Sequence, residues 1–319
     1  MKAPKRIGRA RRMAIGLAAL TALLGSASAL AGAGATNDPY AEALTWPAAQ
    51  LRLPQVWTSR ELRQPTIIAI VDTGVSPVAD LSPSLVPGVD LVNGVARPYD
   101  DNGHGTAIAS IAAARQGNGI GIAGVCGTCS IMPGKVLDKN EGGHSATVAD
   151  GVRWAVAHGA KVVNLSLGAS VDLPTLNAAI EDAIAQGVVV VIAAGNSGSA
   201  RPNSDGYPAA SVPDAIRVGA TTSKKKLASW SNHGSWVDVS APGWAVALRR
   251  NGSVAIGVSG TSYSAAFVSG LAGLLLSQNP SLTPAEVKEL IEQGGTRVPK
   301  LDVASGRIAD AAGSLAAAG

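Results

Sequence analysis

The chain has 319 residues, 46% of them hydrophobic and only 3% aromatic, with a formal charge of +4 and an isoelectric point near 9.2. Six of the 26 basic residues and none of the 22 acidic ones lie in residues 1–35, so the remainder carries 20 against 22 and a charge of −2. The basic balance therefore belongs to the leader and excludes a nucleic-acid-binding surface as its meaning, while the length and apolar content exclude a chain too small or too polar to bury its own core.

The leader has its own pattern. Lys2, Lys5, Arg6, Arg9, Arg11 and Arg12 precede an apolar run from Met13 to Leu24, and Ala-x-Ala sites end at Ala29, Ala33 and Ala35. This is the layout of a secretory signal peptide over residues 1–35. An uncleaved anchor is the lesser alternative, because the run is too short for a comfortable span. No stable membrane span is expected in the mature chain. Residues 36–319 read as one domain, with no space between Ala35 and Thr66 for an inhibitory prodomain. Cys126 and Cys129 are the only cysteines. In an exported chain a disulfide is the first reading. Zinc would need two further ligands, and a thioredoxin-like redox site lacks its surroundings.

Residues 36–65 are turn-rich, with Asn37-Asp38-Pro39-Tyr40 and Trp46-Pro47, and read as an extended arm. Thr66 to Val71 is continuously apolar, as in a parallel strand buried on both faces, and ends at Asp72-Thr73-Gly74. Asp101-Asn102-Gly103 is a turn, after which His104-Gly105-Thr106 opens an Ala- and Ile-rich helix to Arg115. Strands at 130–137, 161–165 and 188–194 then alternate with helices at 146–158 and 173–186. The last of these strands runs into Gly195-Asn196-Ser197-Gly198. A short strand is expected at 215–218, and a hairpin at 245–249 and 253–256 turns on Asn251-Gly252. Gly260-Thr261-Ser262 then begins an apolar helix running to Leu276, and two further helices start near Thr283-Pro284 and Arg307. Alternating strands and helices predict an α/β fold, a doubly wound three-layer sandwich around a mostly parallel central sheet.

Asp72, His104, Asn196 and Ser262 each stand at the end of such an element. Singly, each is more simply a cap or turn residue. Together they carry the order Asp, His, Ser of one of the known hydrolytic triads. Asp-Thr-Gly at 72–74, His-Gly-Thr at 104–106, Ala-Ala-Gly-Asn at 193–196 and Gly-Thr-Ser at 260–262 resemble the motifs of the subtilisin-like serine proteases, and the start at Asn37 is similar to the thermitase-type branch. The resemblance covers roughly residues 36–319. It departs from the family pattern at Ala107, Ser110 and Ala266, and Tyr263 follows the serine directly.

The resemblance implies an exported endopeptidase, either extracellular or periplasmic, acting on protein or peptide substrates through an acyl-enzyme. Ser262 would be the nucleophile, His104 the base and Asp72 its orienting group, with the Asn196 amide and the Ser262 N–H binding the oxyanion. It further implies strand-like substrate binding between Ser166-Leu167-Gly168 and Glu141-Gly142-Gly143. Gly206 would lie at the base of the first specificity pocket, leaving volume for large apolar residues. No cofactor is implied for catalysis. A structural calcium is implied at Asp38, Asp80, Asn118 and the carbonyls of Ile120 and Ile122. A monomer is expected. The rival readings are an exported pseudo-protease that binds peptide without cutting, an esterase (disfavoured because Gly-x-Ser-x-Gly is missing at 260–264) and a redox protein using the cysteine pair.

Overall fold

A computed structural model describes residues 36–57, 65–202 and 205–319. The leader expected over 1–35 lies outside the described residues. Two short helices come first, α1 at Thr45–Gln50 and α2 at Leu53–Trp57. The expectation of an extended arm is thus corrected. Leu44, Ala48 and Leu51 recur at helical spacing and are buried, as are Leu53 and Val56. Pro47, part of the turn-rich pattern, falls in the first turn of α1, where its missing N–H has no intrahelical partner to lose.

The main sheet is built from β1 (Ile67–Asp72), β2 (Val89–Asp90), β3 (Ser130–Lys135), β4 (Val162–Leu165), β5 (Val189–Ala193), β6 (Ile216–Thr221) and β7 (Val239–Pro242). Between them run α3 (His104–Ala113), α4 (Ser145–Ala157) and α5 (Pro174–Ala185). A hairpin, β8 (Trp244–Leu248) and β9 (Val254–Ser259), forms a separate two-stranded sheet. Then come α6 (Thr261–Gln278), α7 (Pro284–Gly294), β10 (Thr296–Arg297), β11 (Arg307–Ile308) and α8 (Ala311–Ala317). Arg307 therefore opens a strand, not the helix expected there. Ile308 pairs with Ser240 of β7, and the helix waits for Asp310, whose carboxylate caps it by accepting from the Gly313 N–H. The strand at Val239–Pro242 is an addition to the expected elements.

The nine-stranded order is β10-β11-β7-β6-β5-β4-β1-β3-β2, parallel except for β10 against β11. From β1 the chain first winds outward through β2 and β3, then returns to the other side of β1 and continues through β4 to β7. β1 is thus the point where winding reverses, and the carboxyl ends beside it form the crevice in which open α/β sheets bind ligands. Alternation along β1 divides the core. Ile68 and Ile70 face a layer holding α3, α6 and the hairpin, while Ala69 and Val71 face α4 and α5. Helix α6 is apolar on every side and lies in the first of these layers, as expected of a helix enclosed by protein. Among the described residues no helix is long and apolar enough to cross a membrane.

Cys126 and Cys129 are joined in a disulfide, and both are buried. The bridge lies just before β3, at the end of the sheet opposite the crevice.

Candidate active site

Asp72 is the last residue of β1 and is fully buried. Its two carboxylate oxygens lie 2.9 and 3.0 Å from His104 Nδ1, and the Thr73 N–H donates to Oδ1 at 2.7 Å. His104 begins α3. The turn before it is held by Asp100, a buried acid that accepts from the Thr73 hydroxyl, the N–H groups of Asn102, Gly103 and Thr106, and the Thr106 hydroxyl. Gly105 permits the close approach of α3 to β1, because a Cβ there would collide with the Gly74 carbonyl oxygen.

Lys135, at the end of β3, has no exposed side-chain surface. Its ammonium donates to the carbonyls of Thr73 and Leu137, each at 2.9 Å, and to Asp101 at 2.7 Å. It thereby ties the end of β1, the end of β3 and the turn before His104 to one charge. Burial alone would hold the His104 ring neutral. The charge and hydrogen bond of Asp72 outweigh it, Glu141 and Asp100 add to the effect, and the pKa is pushed up from 6.5 to about 9.

Ser262 is the second residue of α6 and is half-buried. The capping reading of this serine does not hold: Gly260 is the N-cap, and the first N–H of the helix goes to Asn196. The Ser262 hydroxyl donates to the Ser166 carbonyl at 3.3 Å, and the Ser166 hydroxyl donates to the Ser262 carbonyl at 2.9 Å. Behind them, Ser269 of α6 donates to Asn164 Oδ1, and Asn164 Nδ2 donates to the Ser166 hydroxyl, all of it buried or nearly so. This chain of side chains locks the start of α6 to the end of β4. The Tyr263 ring faces His104 at a centroid distance of 5.9 Å and an interplanar angle of 57°.

Asn196 follows β5. Its Oδ1 accepts from the Thr261 N–H at 2.8 Å and the Thr261 hydroxyl at 3.0 Å. The oxygen is committed to Thr261, so the Nδ2 donors are directed away from it, beside Gly260 and the cleft. As the second residue of α6, Ser262 has a backbone N–H without an intrahelical acceptor. Two N–H donors and the positive end of a long helix thus border one place.

A cleft of about 430 Å³ runs through this site. His104, Asn196 and Ser262 line it, as do Ser166, Leu167 and Gly168 on one side and Glu141 and Gly143 on the other. Gly142 is not part of the lining, since it turns the chain against the Asp138 carboxylate. Gly206 is not part of it either. A Cβ on Gly206 would meet Pro202 at 2.7 Å and the Trp236 ring at 3.1 Å, so this glycine serves packing behind the cleft. Its neighbour Tyr207 pairs with Ala169 and backs the 166–169 segment. Small residues wall the cleft instead: Gly168, Ala169, Ala193 and Gly195. Asp205, which no motif marked, lines it as well.

The expected calcium ligands gather elsewhere, where Asp38 and Asp80 meet the loop after α3 that carries Asn118, Ile120 and Ile122. Asp38 accepts from the N–H groups of Gly117, Asn118 and Gly119. Asp80 accepts from the Asn118 amide at 2.7 Å and the Ile122 N–H at 3.0 Å. Asn118 Oδ1 accepts from the Ile120 N–H. Both aspartates are buried, and no cationic side chain pairs with either among the described residues. Burial raises the Asp80 pKa and the neighbouring Asp38 charge adds to it, against the lowering from Ile122 and Asn118. Two buried acids without a counter-charge, facing a loop whose Gly117, Gly119 and Gly121 all take positive φ, fit a hard cation with oxygen ligands.

A sequence model of the subtilase family, peptidase S8, matches residues 63–306. The chain is 40% identical to thermitase of Thermoactinomyces vulgaris over 263 residues, covering 82% of this chain and 92% of that protein. It is 34% identical to subtilisin E of Bacillus subtilis over 260 residues, covering 81% of this chain and 67% of that protein. A solved protease of Pseudoalteromonas arctica superposes with a TM-score of 0.81 at 29% identity, covering 89% of this chain and 99% of that one. With this fold and these relatives, the chain belongs to the subtilase family of serine proteases.

Proposed function

We propose that this subtilase is an exported endopeptidase in which Ser262 is the nucleophile, His104 the general base and acid, and Asp72 the group that orients the imidazole. The observation that carries the reading is the contact of both Asp72 oxygens with His104 Nδ1 at 2.9 and 3.0 Å, which leaves Nε2 as the ring nitrogen available to the nucleophile. The Ser262 hydroxyl turns from the Ser166 carbonyl toward Nε2 as substrate seats, since catalytic hydrogen bonds tighten in the Michaelis complex. Its oxygen then bonds to the substrate carbonyl carbon while Nε2 takes its proton. The Asn196 Nδ2 and the Ser262 N–H receive the oxyanion. His104 returns the proton to the leaving amine, and water, activated in the same way, releases the acyl group.

Substrate lies extended between 166–168 and 141–143, as an added strand. Leu167, Val148, Leu173 and Leu176 offer an apolar surface for side chains further from the cut bond. Space for a large residue at the cut bond comes from the small cleft walls and not from Gly206. The mature chain is residues 36–319, released from its leader after export. A structural calcium would be held by Asp38, Asp80, Asn118 and the carbonyls of Ile120 and Ile122, stiffening the loop and taking no part in the chemistry.

Labelling by a serine-directed fluorophosphonate, with Ser262→Ala beside the wild type, tests the assignment. Ser262-dependent labelling together with cleavage of casein is the expected result. Absence of Ser262-dependent labelling overturns it and returns the peptide-binding alternative, and labelling with turnover of short esters but no peptide cleavage returns the esterase.

A further inference from the structure

Asp205 stands in the cleft without an assigned task. Its Oδ1 accepts from the Ser197 hydroxyl and the Asn232 amide, both at 2.8 Å, and its Oδ2 accepts from the Asn196 N–H. A Cβ on Gly195 would lie 2.5 Å from its Oδ1, so the carboxylate rests directly against the wall beside the oxyanion asparagine. All three donors are neutral. A carboxylate has about four acceptor positions, so three bonds leave it able to accept another. Among the described residues no cationic side chain pairs with it, and no lysine or arginine lines the cleft. Glu141, on the opposite edge, adds a second negative charge. Gly168 and Gly195 lie directly against Asp205, and with Ala169 and Ala193 they line the cleft with side chains too small to obstruct a long one.

We infer that Asp205 makes the first specificity pocket select a basic side chain, lysine or arginine, at the residue whose carbonyl is attacked. A half-buried carboxylate lacking a counter-ion in a narrow slot attracts a cation more strongly than one in open water. A long aliphatic stem with a charged tip suits small apolar walls that end on an acid. The inference rests on the assignment of Ser262 as nucleophile, because that fixes which residue of the substrate enters this part of the cleft.

The test uses two fluorogenic peptides identical except for Lys or Leu at that position, cleaved by the wild type, Asp205→Asn and Asp205→Ser. The wild type prefers Lys, and either variant lowers the Lys/Leu ratio of kcat/KM by roughly 10- to 100-fold, chiefly through KM, the range expected for one charge-assisted hydrogen bond. Any loosening of Asn196 slows both peptides alike and cancels in the ratio. Should the variants not fold, the wild type alone suffices. Raising salt from about 0.05 to 0.5 M then slows the Lys peptide several-fold and spares the Leu peptide. An unmoved ratio, a wild-type preference for Leu, or salt dependence equal for both peptides overturns the inference while leaving the nucleophile assignment standing. Cleavage of neither peptide overturns that assignment and the inference with it.

Discussion

Replacing Lys135 by Met tests whether one buried charge sets the geometry of the catalytic strands. Met matches the stem of lysine in length and keeps the packing. What disappears is a donor to the Thr73 and Leu137 carbonyls, each at 2.9 Å, and to Asp101 at 2.7 Å. Leaving two buried carbonyls without donors costs about 1–3 kcal/mol each. Asp101 is 45% exposed, so its pairing contributes little. Against this stands the recovered cost of burying an ammonium group, several kcal/mol. Losses of that size and the recovered burial cost nearly cancel, so Tm should move by only a few degrees in either direction. Calorimetry in a Ser262→Ala background keeps self-digestion out of the measurement. With Ser262 intact, kcat falls about tenfold or more while KM barely moves, because Thr73 carries Asp72 and small displacements of catalytic groups are costly. A kcat within about twofold of the wild type, or a KM that rises in its place, would refute the reasoning and make Lys135 a tolerated burial.

Three further outcomes follow from the same structure. The proposed base, His104, must be neutral to act, and its pKa is pushed up to about 9, so kcat/KM should climb with pH between about 6.5 and 9. Asp72→Asn leaves burial unopposed by that charge and should move the surviving activity's acid limb below 6.5; a limb that stays in place would remove Asp72 as the cause. By linkage, the stability from this pair is full below the unfolded pKa near 6.5 and is lost as pH rises through about 9, which a Tm series over that range would reveal. Lowering free calcium with EGTA should lower Tm in step with the logarithm of the free calcium remaining, and Asp80→Asn should erase that dependence; a wild-type Tm indifferent to calcium would sink the metal assignment. Finally, a bridge closing so short a loop is worth about 2 kcal/mol in the chain-entropy account. Cys126→Ala with Cys129→Ala should therefore lower Tm by roughly 5 °C and leave kcat unchanged, and a fall in kcat beyond about twofold would contradict the placement of the bridge remote from the site.

The legible parts of this chain are those written locally. β1 reads from its unbroken apolar run, α6 from its apolar length behind Gly260, and the winding of the sheet from alternating elements. Asp72, His104, Asn196 and Ser262 stand out because each sits where a strand or helix ends. Other residues are illegible because their partners are distant in sequence. Asn164 looks like an ordinary strand residue until Ser269, 105 positions later, reaches it. Lys135 gains meaning only against Thr73, 62 positions earlier. Asp205 has no motif of its own, and Gly206 beside it invites a pocket role that Pro202 and Trp236 take away. α1 and β11 escape for a different reason: a first-turn proline and a two-residue strand fall below what composition and periodicity can resolve.

The burial of helix α6 also bears on how long the molecule survives its own activity. An enzyme that cuts extended chains is its own most abundant substrate, and local opening exposes the backbone that it can cut. Almost every residue of α6 beyond Ser262 and Tyr263 is buried, and the helix touches β4, β5, β6, β7 and α3. Releasing the proposed nucleophile by opening this helix would mean dismantling the centre of the molecule. The exposed edges, such as β9 with Ile256 62% accessible, are where the first nicks should fall. Damage would then begin at the periphery, and activity would outlast the first cuts in the chain.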